Sequence, residues 1–409
     1  MRLLIATLAF LSIPSVHADD WPQWRGPNHD NIAAPSATPV TEWSADKNVR
    51  WKTPIPGRGH STPIVVGSVI YLTTADLGAN KQSLIAIDRK AGKVIWNTTI
   101  HEQKLPSEVH KENSRASATA QRTGDHVLVT FQNDEKVMVS AVTPDGEITW
   151  TKSAGDYRPL YSFGYGSTPV LHNELYIVVI GTKDNGSVVA MDAKSGEIKW
   201  RTPHDGHDNW ATPVVATVAG KEQLLLSGVG LLTSFDPKTG KKLWSAPLSP
   251  QSTCGTVVWT DDMVFASGGY PSNQTAGIKA DGSGTVVWKN PERCYEQSLL
   301  SHDGLIYAVT DSGIAFCWDA ATGERVWKER VGRGGIMASP LLVGDLIYTT
   351  FKNGKTTIFK AGRSFEKVAE NQLGDDTYAT PVAVGDDLLI RVGKVTEGER
   401  SEMLYCLGD

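Results

Sequence analysis

Three groups of residues in this chain have side chains that could do chemistry. The stretch HDGHDNW carries His204, Asp205, His207 and Asp208 close together. Imidazoles and carboxylates at that spacing could hold a metal ion, but zinc takes three or four convergent ligands and nothing fixes the others here. The stretch therefore reads first as a solvated polar loop, and no metal site is expected. A second stretch, DYRPLYSFGY, gathers Tyr157, Arg158, Tyr161, Phe163 and Tyr165. Aromatic rings with an arginine are the composition of binding hot spots. The same composition suits a loop that packs its rings onto a scaffold. Third, Arg58 and His60, and Arg330 and Arg333 in RVGRGG, precede β-rich runs and could reach the centre of the fold. Trp210 and Tyr378, each opening one such run, complete the candidate binding set. No Ser/His/Asp triad or phosphate-cradling loop is legible, and no catalytic residue is assigned.

The elements that must position these residues repeat along the chain. AIDRKAGKVIW, AMDAKSGEIKW, SFDPKTGKKLW and CWDAATGERVW are copies of one phrase. With its Trp as a ruler, copies fall at Trp51, Trp96, Trp150, Trp200, Trp244, Trp288 and Trp327, with an eighth position at Val368. The spacing, about forty to fifty residues, suits one propeller blade per copy. These Trp are packing residues of the repeat, not a cofactor box. A second phrase runs between them, beginning at His60, Gly166, Trp210, Met337 and Tyr378, with weaker copies SATAQRTGDHVLVTF, CGTVVWTDDMVFAS and EQSLLSHDGLIYAV. Each is a pair of short β-rich runs around a polar turn, hence a hairpin. A third strand ends at the Asp, whose side chain is expected to accept N–H bonds in its own turn. That turn carries Gly92, Gly196, Gly240 or Gly323, where positive φ is cheap. The Trp strand closes the unit.

Eight such units predict an all-β fold, an eight-bladed β-propeller of four-stranded antiparallel blades. A four-stranded sheet cannot hide both faces alone, and radial stacking buries each face on a neighbour. The C-terminal LYCLGD is a third strand with no Trp strand after it, while VRWKTP is a Trp strand with no predecessor. The N-terminal strand is thus expected to complete the last blade and close the ring.

Residues 1–18, MRLLIATLAFLSIPSVHA, read as an export signal, with Arg2, an apolar run and a small-x-small cleavage site. The Pro- and Trp-rich segment 19–48 is expected to lie over the ring as an arm, and 49–409 to form the propeller. Deleting through Asn48 should then leave a folded ring. An exported chain with a net charge of −5 and interspersed signs argues against nucleic acid and against a membrane-surface patch. A monomer in the periplasm or outside the cell is expected. Cys317 and Cys406 fall at the small core position two before the Asp position. Cys254 and Cys294 enter neighbouring inner strands, and a bridge between them is left open.

The phrase A-x-D-x-x-x-G-x-x-x-W resembles the tryptophan-docking repeat of quinoprotein-type, PQQ-like propellers, and the opening DWPQWRGPNHDN is similar to that of bacterial PQQ-like repeat proteins. The superfamily includes PQQ-dependent alcohol dehydrogenases and BamB-type outer-membrane assembly proteins. The resemblance implies either a non-catalytic binding or scaffolding module for an envelope protein, peptide or saccharide, or a PQQ- and calcium-dependent dehydrogenase with its site in the channel. The dehydrogenases' adjacent cysteines and C-x-x-C-H are absent here, so no cofactor is expected. Binding is expected on the face carrying the irregular loops, where a regular scaffold leaves room for function.

Overall fold

The computed structural model describes residues 20–182, 186–204 and 209–409. They form eight four-stranded antiparallel sheets, with no helix among the described residues. Blade 1 consists of Ile64–Val66, Val69–Asp76, Lys81–Asp88 and Val94–Glu102. Blades 2 to 7 repeat this order over 121–156, 170–203, 214–247, 258–290, 300–330 and 341–372. In each, the middle strands lie between neighbouring blades and are apolar on both faces: Leu84, Ile85, Ala86 and Ile87 are all buried. The outermost strands keep one face in water and alternate, as the pattern of Ile198–Pro203 illustrates.

Blade 8 is made from both ends of the chain. Val382–Val384, Asp387–Thr396 and Glu399–Leu407 are completed by Val49–Ile55, which pairs antiparallel to the last strand with Trp51 opposite Cys406. The ring closes as the split repeat requires. The seam is also pinned by charge. Arg89 of blade 1 and Arg50 share Asp387 at 2.8 and 2.6 Å. Buried Arg391 pairs with buried Glu402 and donates to Thr73 O and Ser61 Oγ of blade 1.

The repeat phrase has a physical explanation in these contacts. The small residue two before the Asp position lies directly opposite the Trp: Ala86 and Trp96, Ala190 and Trp200, Cys317 and Trp327. At four positions the indole N–H then donates to a turn carbonyl of the next blade: Trp51 to Arg89, Trp96 to Pro144, Trp288 to Ala320 and Trp327 to Gly362. The turn glycine of that next blade lies flat on the ring. A Cβ on Gly240, at φ +70°, would come within 2.4 Å of Trp200. Where the phrase has its Asp, that side chain holds the turn, as Asp192 Oδ1 accepts the N–H groups of Lys194 and Ser195. Asp, Gly and Trp are one joint.

Two sequence expectations need correction. The eighth Trp position is Ala369, opposite Ile358, not Val368. Lys360 N–H donates to Glu366 O where Asp319 donates to Glu324 O, so the turn of blade 7 is one residue longer. The bridge left open between Cys254 and Cys294 does not exist: all four cysteines are free. Cys294 is buried, with Sγ 3.4 Å from Val309 O, while Cys254 faces the channel mouth.

The segment before the ring does not simply lie over it. Gly67 N–H, in a hairpin turn, donates to Asp20 Oδ1. From there the chain enters the channel, and Trp21 pairs with Val65 of blade 1. Arg122 of blade 2 donates to Pro22 O, Arg25 Nη2 donates to Leu299 O of blade 6, and Asn31 Nδ2 to Pro340 O beside blade 7. Residues 20–33 therefore touch inner strands around much of the ring and plug it from the face of the short turns. Arg25 is fully buried, bonding His29 O and Asp30 O as well; burial lowers its pKa to about 10. The chain then leaves along blades 7 and 8, where buried Trp43 stacks with Tyr348.

Candidate functional site

The inner strands begin on the face of the irregular loops, each with a three-residue phrase: HST, SAT, GST, WAT, CGT, EQS, MAS and YAT. Its third residue is always a hydroxyl: Thr62, Thr119, Thr168, Thr212, Thr256, Ser298, Ser339 and Thr380, all buried. Six of these residues donate their backbone N–H to the hydroxyl of the next blade. Thr62 donates to Thr119, Thr119 to Thr168 and Thr168 to Thr212. Thr256 donates to Ser298, Ser298 to Ser339 and Ser339 to Thr380. The belt fixes the channel radius. Trp24 of the plug donates its indole N–H to Thr256 Oγ1 at 3.1 Å.

Above the belt, the first residues of all eight phrases line a single cavity of about 270 Å³: His60, Ser117, Gly166, Trp210, Cys254, Glu296, Met337 and Tyr378. Trp24 closes it below, and Glu112, Phe163 and Tyr295 from the loops add to its wall. Trp210 is held by its indole N–H on Gly164 O and by the edge of Phe163. His60 stacks on Tyr378 at 4.3 Å, whose ring also lies 5.1 Å from the Arg58 guanidinium and 5.6 Å from Lys352 Nζ. Burial, then Arg58, Arg391, Arg400 and Lys352, hold the His60 pKa well below the usual range, so the ring is neutral.

Two carboxyl groups reach this cavity, and they differ. Glu112 pairs with Lys352 at 2.5 Å, which lowers its pKa. Glu296 has no bonded partner for its carboxyl among the described residues. Desolvation, aided by Asp311 and Glu112 against Lys352, pushes its pKa up to about 7. Desolvation first, then Glu296 and Asp311, also push the Cys254 thiol up, so the thiolate is disfavoured and Cys254 is a poor nucleophile.

The structure brings together only part of the candidate set. His60, Trp210 and Tyr378 line the cavity, and Arg58 stands behind Tyr378 with Nη1 on Lys111 O. Tyr157 is instead a core residue, its hydroxyl on Gly164 O and its ring edge-on to buried Tyr165. Arg158 is exposed and pairs with Glu135. Tyr161 packs edge-on to Tyr270 at the rim. His204 is buried edge-on to Phe235, away from the mouth, and His207 lies outside the described residues. Arg333 is exposed and its carbonyl accepts from Asn353. Glu112, Glu296 and Cys254 were missed. For Glu296 and Cys254 the signal was available, because the first position of each inner-strand phrase points at the mouth.

The cavity does not fit PQQ with calcium. The quinone is a tricarboxylic acid, yet the wall presents two glutamates and, among the described residues, no Lys or Arg. Calcium takes six to eight oxygen ligands, and among the described residues no group of three or more His, Cys, Asp or Glu is placed to hold a metal.

The comparisons agree with this architecture. The chain is 23% identical to the outer membrane protein assembly factor BamB of Burkholderia pseudomallei, over 86% of this chain and 88% of that one. It is 26% identical to the 1-butanol dehydrogenase (quinone) of Thauera butanivorans, over 65% of this chain but only 39% of that one. Among solved structures, the quinohemoprotein alcohol dehydrogenase of Comamonas testosteroni superposes with a TM-score of 0.70 at 13% identity, covering 95% of this chain and 80% of that one; at that identity the likeness is one of fold. The family model described as outer membrane protein assembly factor BamB matches residues 32–157 and 80–329. These matches span most of the repeats, and the chain belongs to the BamB family of PQQ-like propellers.

Proposed function

We propose that this protein is a non-catalytic binding module of the bacterial cell envelope that takes its ligand at the loop-face mouth of the propeller. The observation that carries the reading is the blind cavity: eight equivalent positions converge on one space, and the chain's own Trp24 floors it. All eight of these residues differ in type, while the belt beneath them is Thr or Ser throughout. Uniformity is what a ring needs for closure, and variation is what a site needs for selectivity. Relatives named as outer membrane assembly factors, such as those of Burkholderia pseudomallei and Yersinia pestis, support an envelope role in binding rather than turnover. The quinone-dehydrogenase reading has the shared fold and a match to part of the 1-butanol dehydrogenase (quinone) in its favour, but the cavity wall does not suit the quinone.

Gly166 provides the test. It lines the cavity, its backbone is not left-handed, and an added Cβ meets only ordinary contacts, 3.5 Å from Trp210. Gly166→Phe should fill the mouth without unfolding the ring. Wild-type protein incubated with envelope extract, then analysed by native mass spectrometry, should retain a bound species that Gly166→Phe does not. Retention by both proteins alike would overturn the reading. Dye reduction after adding PQQ and calcium would favour the enzyme instead.

A further inference from the structure

We infer that the group recognised in this cavity is an organic ammonium, a primary amine on an apolar stem, set against Glu296; the inference rests on the cavity being the binding site. The wall supplies the chemistry. Its charged lining residues are both acidic, Glu112 and Glu296, and its largest surfaces are the rings of Trp24, Trp210, Phe163, Tyr295 and Tyr378. Beside Glu296 an anion meets no lysine or arginine of the lining, because Lys352 is held by Glu112. A cation meets aromatic faces, whose negative quadrupole attracts it, and a carboxylate to oppose it.

The cations already present around the mouth do not satisfy Glu296. Lys352 is taken by Glu112 at 2.5 Å, and Arg293 by Asp311 at 3.1 Å while lying over Tyr295. Arg58 donates to the carbonyls of Lys111 and Glu112 and lies over Tyr378. Cys254 and Tyr295 stay protonated and His60 stays neutral. Glu296 is the carboxyl left over, desolvated and half-buried. Leaving it so disfavours its charged form, and an incoming ammonium removes that penalty. Below about pH 7 the group is largely protonated in the free protein, so seating the ammonium expels its proton to water. Ammonium binding is thereby coupled to proton release.

Isothermal titration at pH 6.5, in two buffers of different ionisation enthalpy, reads both affinity and protons. The probes are n-pentylamine, N-acetyl-lysine methylamide and the uncharged N-acetyl-norleucine methylamide. At least one ammonium probe should bind ten-fold or more tighter than the norleucine compound, releasing roughly three quarters of a proton. Glu296→Gln should weaken it at least ten-fold and abolish the release. Binding of the lysine compound alone assigns the ammonium to a peptide side chain; binding of both assigns it to amines at large. The inference is overturned if norleucine matches lysine, if neither ammonium probe binds, or if Glu296→Gln binds within two-fold of wild type. If no probe binds but wild type still retains an envelope species that Gly166→Phe loses, the cavity reading stands and the ammonium falls. If Gly166→Phe also changes nothing, both fall.

Discussion

Glu296 illustrates how position, not residue type, creates a site at the smallest scale. It stands first in an inner-strand phrase where other blades put Ser, Gly or Met, and burial among aromatic rings raises its pKa to about 7. The folded protein therefore binds a proton between the unfolded value near 4.5 and about 7 that the unfolded chain does not. That contribution to stability is present at acid pH and is lost as pH rises through 7. Glu296→Gln removes the loss, so its Tm at pH 8 should exceed that of wild type by roughly 2–4 °C. The two should converge as pH falls below the unfolded value near 4.5. A constant gap across that range in calorimetry would mean that Glu296 is not desolvated as described. In the sequence, His60, Trp210 and Tyr378 are picked out by their place at the start of inner-strand runs. Glu296 and Cys254 are not, because they begin the weakest copies of the phrase, EQSLL and CGTVV. Tyr157 also reads as a binding residue there. An aromatic residue in a loop has the same sequence appearance whether its ring faces water or, like that of Tyr157, the core.

At the scale of the element, the blade was legible almost to the residue because its phrase is a mechanical joint. Small residue, Asp, Gly and Trp are each dictated by a contact: cross-strand room for the indole, N–H groups to cap, a left-handed turn, and a flat surface to stack on. The one slip, Val368 for Ala369, arose where the Trp itself is missing and turn length could not be counted. The joint makes a paired prediction. Gly220 and Gly240 both adopt φ +70°, but a Cβ on Gly220 meets nothing within 4 Å, whereas one on Gly240 strikes Trp200 at 2.4 Å. Gly220→Ala should cost only the left-handed strain, about 1–2 kcal/mol. Gly240→Ala should cost at least about 1 kcal/mol more, from overpacking, and Trp200→Ala about 3–5 kcal/mol. Urea unfolding of the three variants checks the order. Equal losses from the two glycines would show that the indole does not depend on the turn of the next blade.

On the scale of the whole molecule, closure was readable from two half-units, but the plug was not. The composition of DWPQWRGPNHDN shows rings and a charge, not that Trp21 is buried against blade 1 or that Arg25 caps carbonyls across the channel. This changes what truncation should do. Removal of residues 20–48 takes Trp21, Arg25 and Trp43 out of the core while leaving Val49–Ile55 in blade 8. The product should remain a monomeric ring with a lower Tm and no floor to its cavity. Removal through Ile55 also strips blade 8 of its outer strand, and the bared edge should drive aggregation. Size-exclusion chromatography with thermal melts separates the two, and identical behaviour would mean that the plug, not the strand, holds the ring shut. The seam has one more consequence, for how the molecule bears tension. Asp20 is tied to blade 1 through Gly67, and Gly408 lies against Asn48 in blade 8. A pull applied between residues 20 and 409 first enters and leaves through adjacent blades, and reaches the others only as the plug is peeled from them. The first load falls on the junction where Arg89 grips Asp387 and Arg391 reaches Ser61 and Thr73, where buried Arg391 also pairs with buried Glu402.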